Sequence, residues 1–112
     1  MVSLKELAEQ LNYKIFTMVD PEAKISGGYT GDLLSDVMGH GEEDTIFITI
    51  QAHKNSVAVA SLIGMRAILL CNGRTPADDM ISSAEQEKIA ILGTEENQFT
   101  SSAKIASLLE FK

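Results

Sequence analysis

Between residues 46 and 97 an apolar run stops abruptly in a small polar loop, and a helix pattern follows. This happens three times, and it limits the possible folds more than any other feature of the chain. The runs are Ile46-Phe47-Ile48-Thr49-Ile50, Ala67-Ile68-Leu69-Leu70-Cys71 and Ile89-Ala90-Ile91-Leu92. The loops after them are Gln51-Ala52-His53-Lys54-Asn55, Asn72-Gly73-Arg74-Thr75-Pro76 and Gly93-Thr94-Glu95-Glu96-Asn97. Strand, loop and helix repeated in series predict βαβ units and a mostly parallel sheet. The runs are apolar on both faces, as strands covered on both sides must be. The expected fold class is α/β, with a mostly parallel sheet and one domain over residues 1–112. In such sheets ligands bind beyond the carboxyl ends of the strands.

The rest of the chain fills in this plan. Ser3-Leu4-Lys5-Glu6 reads as a capping box opening a helix with Leu4, Leu7, Ala8 and Leu11 on one face, ended by a left-handed Asn12. A first strand is expected over Tyr13 to Val19, and a turn at Asp20-Pro21-Glu22. Lys24 to Asp32 holds three glycines in nine residues and reads as a tight loop, before a helical stripe of Leu33, Leu34, Val37 and Met38. Asn55 to Met65 forms a helix apolar over most of its circumference, expected to be buried on two sides. Its residues Val57, Ala60 and Ser61 are the expected dimer contacts. The next helix is entered through Thr75-Pro76, with Pro76 in its first turn and Asp78 and Asp79 at its positive end. A last helix runs from about Thr100 to Glu110.

Charge and cysteine usage exclude several classes. The net charge is −7, with only nine scattered Lys and Arg. Nucleic acid and anionic membranes need clustered cations, so neither is an expected partner. One cysteine, Cys71, cannot form an internal disulfide, and the amino terminus shows no basic-then-apolar leader, so a cytoplasmic setting is expected.

Each candidate for chemistry has a plainer alternative. Gly27-Gly28-Tyr29-Thr30-Gly31-Asp32 lacks the spacing of a P-loop or a dinucleotide fingerprint. It could present backbone donors to an anion, or Thr30 or Asp32 could simply cap a helix. His53, just past a strand end, suits ligand contact or proton transfer, or has no task. Cys71 is either inert in the core or paired with His53 as a nucleophile. Arg74 could fork a phosphate or carboxylate, or pair with Asp78 or Asp79. Asn72-Gly73 reads as a turn first and a backbone ligand element second. No ligand spacing for a metal is present, and no cofactor is expected.

Three segments carry a resemblance: Gly27 to Met38, Ile48-Thr49-Ile50-Gln51-Ala52-His53-Lys54-Asn55, and Asn72-Gly73-Arg74-Thr75-Pro76. Together they resemble a stand-alone DRTGG domain, a family similar to the N-terminal domain of HPr kinase/phosphorylase and, more distantly, of Mur ligases. His53-Lys54-Asn55 stands where larger members carry Asp-Arg, and Asn72-Gly73 where they carry Gly-Gly. The resemblance implies a small three-layer α/β/α domain with a mostly parallel sheet of about four to five strands, like the HPr kinase N-terminal domain, and a non-catalytic regulatory or assembly module, forming a homodimer and serving a partner enzyme. A small anionic metabolite or nucleotide would sit at the strand carboxyl ends, near Gly28, Thr30, Asp32, Gln51, His53, Asn55, Asn72, Gly73, Arg74 and Thr94. Two alternatives stay open: a docking subunit with no small ligand, and a small hydrolase using Cys71 and His53.

Overall fold

Strand residues on one face of a pleat alternate with those on the other, and the apolar runs obey this rule. The computed structural model describes residues 1–110; Phe111 and Lys112, the end of the expected domain, lie outside the described residues. Ile46, Ile48, Ala67, Leu69, Ala90 and Leu92 point into one core, beneath a helix pair. Phe47, Ile68, Leu70 and Ile91 point into a second core, beneath three helices. Because both faces are covered, the strands need apolar residues at every position. The result is the three-layer α/β/α arrangement.

The elements in chain order are β1 (Val2–Ser3), α1 (Leu4–Gln10), β2 (Lys14–Thr17), β3 (Lys24–Ile25), β4 (Gly27–Thr30), α2 (Leu34–His40), β5 (Thr45–Thr49), α3 (Lys54–Ile63), β6 (Ala67–Leu70), α4 (Asp78–Glu87), β7 (Ala90–Gly93) and α5 (Gln98–Leu108). The main sheet has the order β2-β7-β6-β5-β4. Strands β4 to β7 are parallel, in register Phe47↔Ile68↔Ile91. β2 joins β7 antiparallel, with a register shift between Ile15 and Thr17. β1 and β3 form a separate two-residue pair. Helices α2, α3 and α4 supply Val37, Val57 and Met80 to one core, and α1 and α5 supply Leu7 and Ile105 to the other.

Several sequence-based expectations change here. The glycine-rich segment is not a loop: Gly27 to Thr30 is the edge strand β4, paired residue for residue with Thr45 to Ile48. A Cβ at Gly28 would meet Ile46 at an ordinary contact distance of 3.4 Å, so the pairing with β5, not a steric limit, makes this segment a strand. The first strand is shorter than Tyr13 to Val19, because Tyr13 turns into the core and pairing ends at Thr17. Pro76 lies before the cap residue Ala77 rather than in the first turn of α4, although Asp78 and Asp79 do occupy that turn. Asn97 caps α5 by accepting from the Thr100 amide at 2.9 Å, so this helix begins earlier than expected. The Ser3 cap stands, accepting from the Glu6 amide at 3.1 Å. Val57 and Ala60 are fully buried in the protein's own core, and Ser61 donates to Glu87 at 3.2 Å. Val57 and Ala60 therefore offer no surface to a partner, and Ser61 is only half-buried. The large apolar residue that α3 exposes is Leu62.

Candidate functional site

The chain leaves β6 toward α4 on one face of the sheet and leaves β7 toward α5 on the other. Loops that diverge from neighbouring parallel strands open a crevice at their carboxyl ends. The loop after β6 begins with a tight turn. Asn72 (φ 58°) and Gly73 (φ 68°) are both left-handed, and the Arg74 amide donates to the Cys71 carbonyl at 3.2 Å. Two successive left-handed residues favour Asn-Gly. The Asn72 amide donates to the Glu96 carbonyl at 3.0 Å, and the Gly73 amide to Thr94 at 2.9 Å. These donors bind the two loops together, so the turn cannot offer them to an anion.

What the turn displays is Arg74. Its side chain is exposed and, among the described residues, forms no ion pair; the expected pairing with Asp78 or Asp79 does not occur. Arg74 lines two clefts. One, of about 480 Å³, lies between β2, the end of β7 and the start of α5, with Lys14, Phe16, Glu95 and Lys104 around it. The other, of about 540 Å³, lies between the ends of β5 and β6, beside Gln51 and His53.

The remaining candidates divide between these clefts and the fabric of the sheet. Thr94 is in the first cleft, where its hydroxyl accepts from the Glu96 amide at 3.2 Å. His53 is exposed at the start of α3, and its carbonyl accepts from Ser56. Asn55, exposed on that helix, and Asn72, exposed on its turn, line neither cleft. Asp32 does not cap α2. Its Oδ1 accepts from Thr49 Oγ1 at 2.9 Å, the Ile50 amide at 3.2 Å and Gln98 Nε2 at 3.1 Å. Gln51 Nε2 donates to the Asp32 carbonyl at 3.1 Å. Gly28 and Thr30 lie on the outer strand β4, where Thr30 and Ser102 share a hydrogen bond of 2.6 Å.

Cys71 does not meet His53. It is fully buried against α5, and its thiol donates to Ser101 Oγ at 3.5 Å. Burial pushes the thiol pKa up, opposed by the Ser101 hydrogen bond and aided by Asp32 and Glu96. Burial likewise holds the Tyr13 phenol well above its ordinary range, aided by the charges of Glu96 and Cys71. Both groups keep their protons more tightly folded than unfolded. The unfolded chain releases protons first as pH rises past the ordinary thiol and phenol values of about 8.5 and 10. This contribution to stability is complete below that range and is lost on rising through it. A lower urea midpoint at pH 10 than at pH 7, and a Cys71 that alkylates only after denaturation, are the expected results. Equal alkylation rates in native and denatured protein would contradict them.

Lys14, Phe16, Glu95, Glu96 and Lys104 were not sequence candidates, yet they wall the first cleft with Arg74. They come from a strand edge, a loop and a helix, so no spacing connects them. Lys104 is paired with Glu96, and the Lys14 ammonium lies 4.9 Å from the Phe16 ring centroid. Among the described residues no group of three or more His, Cys, Asp or Glu could hold a metal ion, and no helix is long and apolar enough to cross a membrane.

No family model and no curated protein matches this chain. Among solved structures it is similar to the CBS and DRTGG domains of the regulatory region of Clostridium perfringens pyrophosphatase, complexed with the activator diadenosine tetraphosphate. The TM-score is 0.67 at 16 % identity, over 91 % of this chain and 45 % of that one. This chain thus spans less than half the length of that structure. The likeness establishes a DRTGG-like fold, as the loop sequences implied.

Proposed function

From a DRTGG-like fold with an unpaired arginine between two clefts, we propose a non-catalytic regulatory module that senses a small anionic metabolite or nucleotide at the carboxyl ends of β5 to β7. It works as a cytoplasmic homodimer beside a partner enzyme. Arg74 carries the reading. An exposed guanidinium with no carboxylate partner, held on a rigid turn at a strand-end crevice, is suited to a charged, forked hydrogen bond with a phosphate or carboxylate. The similar pyrophosphatase region is regulatory and was complexed with a nucleotide activator, which agrees with this role.

A binding screen with phosphorylated metabolites tests it. A ligand at about 100 times its dissociation constant raises stability by about 2.7 kcal/mol, a melting shift of several degrees in a domain of this size. Arg74→Ala should weaken that ligand by about 1–3 kcal/mol, the range of hydrogen bonds to charged groups. An unchanged dissociation constant would remove Arg74 from the site. The competing reading is a protein-docking module, favoured by Leu33, Leu62 and Phe99, which are 68 %, 72 % and 82 % exposed. A stable oligomer with no ligand-induced shift would favour it.

A further inference from the structure

Three of the nine basic residues of this acidic chain, Lys14, Arg74 and Lys104, converge on the one cleft between β2, β7 and the turn at Asn72-Gly73. They arrive from a strand, a loop and a helix, so the fold gathers them there. Their circumstances differ. Lys104 is neutralised by Glu96, Lys14 rests over an aromatic ring, and Arg74 has no partner among the described residues.

Beside Arg74 lies a carboxylate that is also unpaired. Glu95 packs against Gly73, where an added Cβ would stand 2.6 Å from its Oε2. Among the described residues Glu95 forms no ion pair and its carboxylate takes no hydrogen bond from a side chain. An unpaired cation and an unpaired carboxylate in one cleft match a ligand that carries both an anion and hydrogen-bond donors.

The cleft also has an aromatic wall. Phe16 lies against Gly93, where a Cβ would come within 2.5 Å of the ring, so glycine makes the room that the ring occupies. The ring is partly buried against the second core, and the Lys14 ammonium lies over it in a contact worth about 0.5–1 kcal/mol when exposed. A planar ligand group can displace it and release Lys14 toward an anion. The volume, about 480 Å³, falls in the range of small-ligand sites and exceeds what an amino acid would fill.

We infer that this cleft is a ribonucleotide site: Arg74 and Lys14 take the phosphate, Glu95 accepts from the ribose diol, and the base stacks on Phe16. The inference rests on the anion-sensing reading above and adds the ligand class and the cleft that holds it.

Calorimetric titration of the full chain at low salt, with AMP, its 2′,3′-dideoxy analogue and inorganic pyrophosphate, tests it. AMP should bind at least about ten-fold tighter than the dideoxy analogue, the lower end for a hydrogen bond to a charged group. Glu95→Ala should erase that preference without changing the melting temperature of the free protein, since the residue is exposed. Phe16→Leu should weaken AMP but not pyrophosphate, and Arg74→Ala should weaken both. If pyrophosphate binds through Arg74 with no nucleotide preference, or if the preference survives Glu95→Ala, the ribonucleotide site is wrong and anion sensing stands. A preference that His53→Ala removes would move the site to the other cleft and overturn this one. If none of the three binds, both readings fail.

Discussion

Replacing Phe47 with alanine should destabilise the domain by about 3–5 kcal/mol, the range for removing a buried aromatic side chain from a packed core. Phe47 has no exposed surface and sits in β5, an interior strand of the sheet, level with Ile68 and Ile91 on its own side. It belongs to the core that α2, α3 and α4 complete with Val37, Val57 and Met80. The parallel sheet and three helices fix its surroundings, so collapse around the missing ring would be incomplete and a cavity would remain. Domains of this size are stable by roughly 5–15 kcal/mol. The substitution should therefore remove a large share of the total and lower the melting temperature by more than about 10 °C. Urea unfolding followed by circular dichroism measures it. A loss below about 1 kcal/mol would mean that this core is loosely packed and the layer assignment of Phe47 is wrong.

Asp32→Ala should cost about 2–3 kcal/mol, and Asp32→Asn distinctly less. One carboxylate oxygen of Asp32 accepts from the Thr49 hydroxyl, the Ile50 amide and the Gln98 side chain. Its carbonyl accepts from Gln51. The residue thus ties the ends of β4 and β5 to the start of α5. Alanine leaves partly buried donors without an acceptor, which is the expensive way to break a hydrogen bond. Asparagine keeps an oxygen in place but not the charge, so about half the loss should be recovered. Equal losses for Ala and Asn would argue that charge alone matters; a loss under about 0.5 kcal/mol for Ala would mean that water replaces the carboxylate. Because Asp32 and Gln51 serve each other and the sheet, losses of ligand affinity on mutating either must be corrected for stability before they are read as contacts.

Much of the scaffold was legible because it rests on local rules. The runs at Ile46, Ala67 and Ile89 alternate between two cores, and a strand buried on both faces can only be written in apolar residues. Ser3 could be named a cap because its hydroxyl meets an amide three residues on. The segment Gly27 to Thr30 was misread for a physical reason. Glycine has low intrinsic strand preference, and this strand exists because β5 provides its hydrogen-bond partners. The apolar stripe of α3 was seen, but whether it faced the sheet or a second subunit depends on how α2 and α4 flank it.

The same division runs through the site. Arg74 could be singled out from its place after a strand and beside an Asn-Gly turn. Lys14, Phe16 and Lys104 could not, since the cleft they share is made by β2 pairing antiparallel with β7 and by α5 crossing to the opposite face. The strand-loop-helix series and the Ser3 cap could be read directly because each depends on residues within a few positions of one another. The strand order, the edge strand β4, the burial of Cys71 away from His53 and the gathering of scattered cations at one crevice emerged only in three dimensions. Those depend on contacts between distant segments, whose free energy is settled by packing rather than by any local preference.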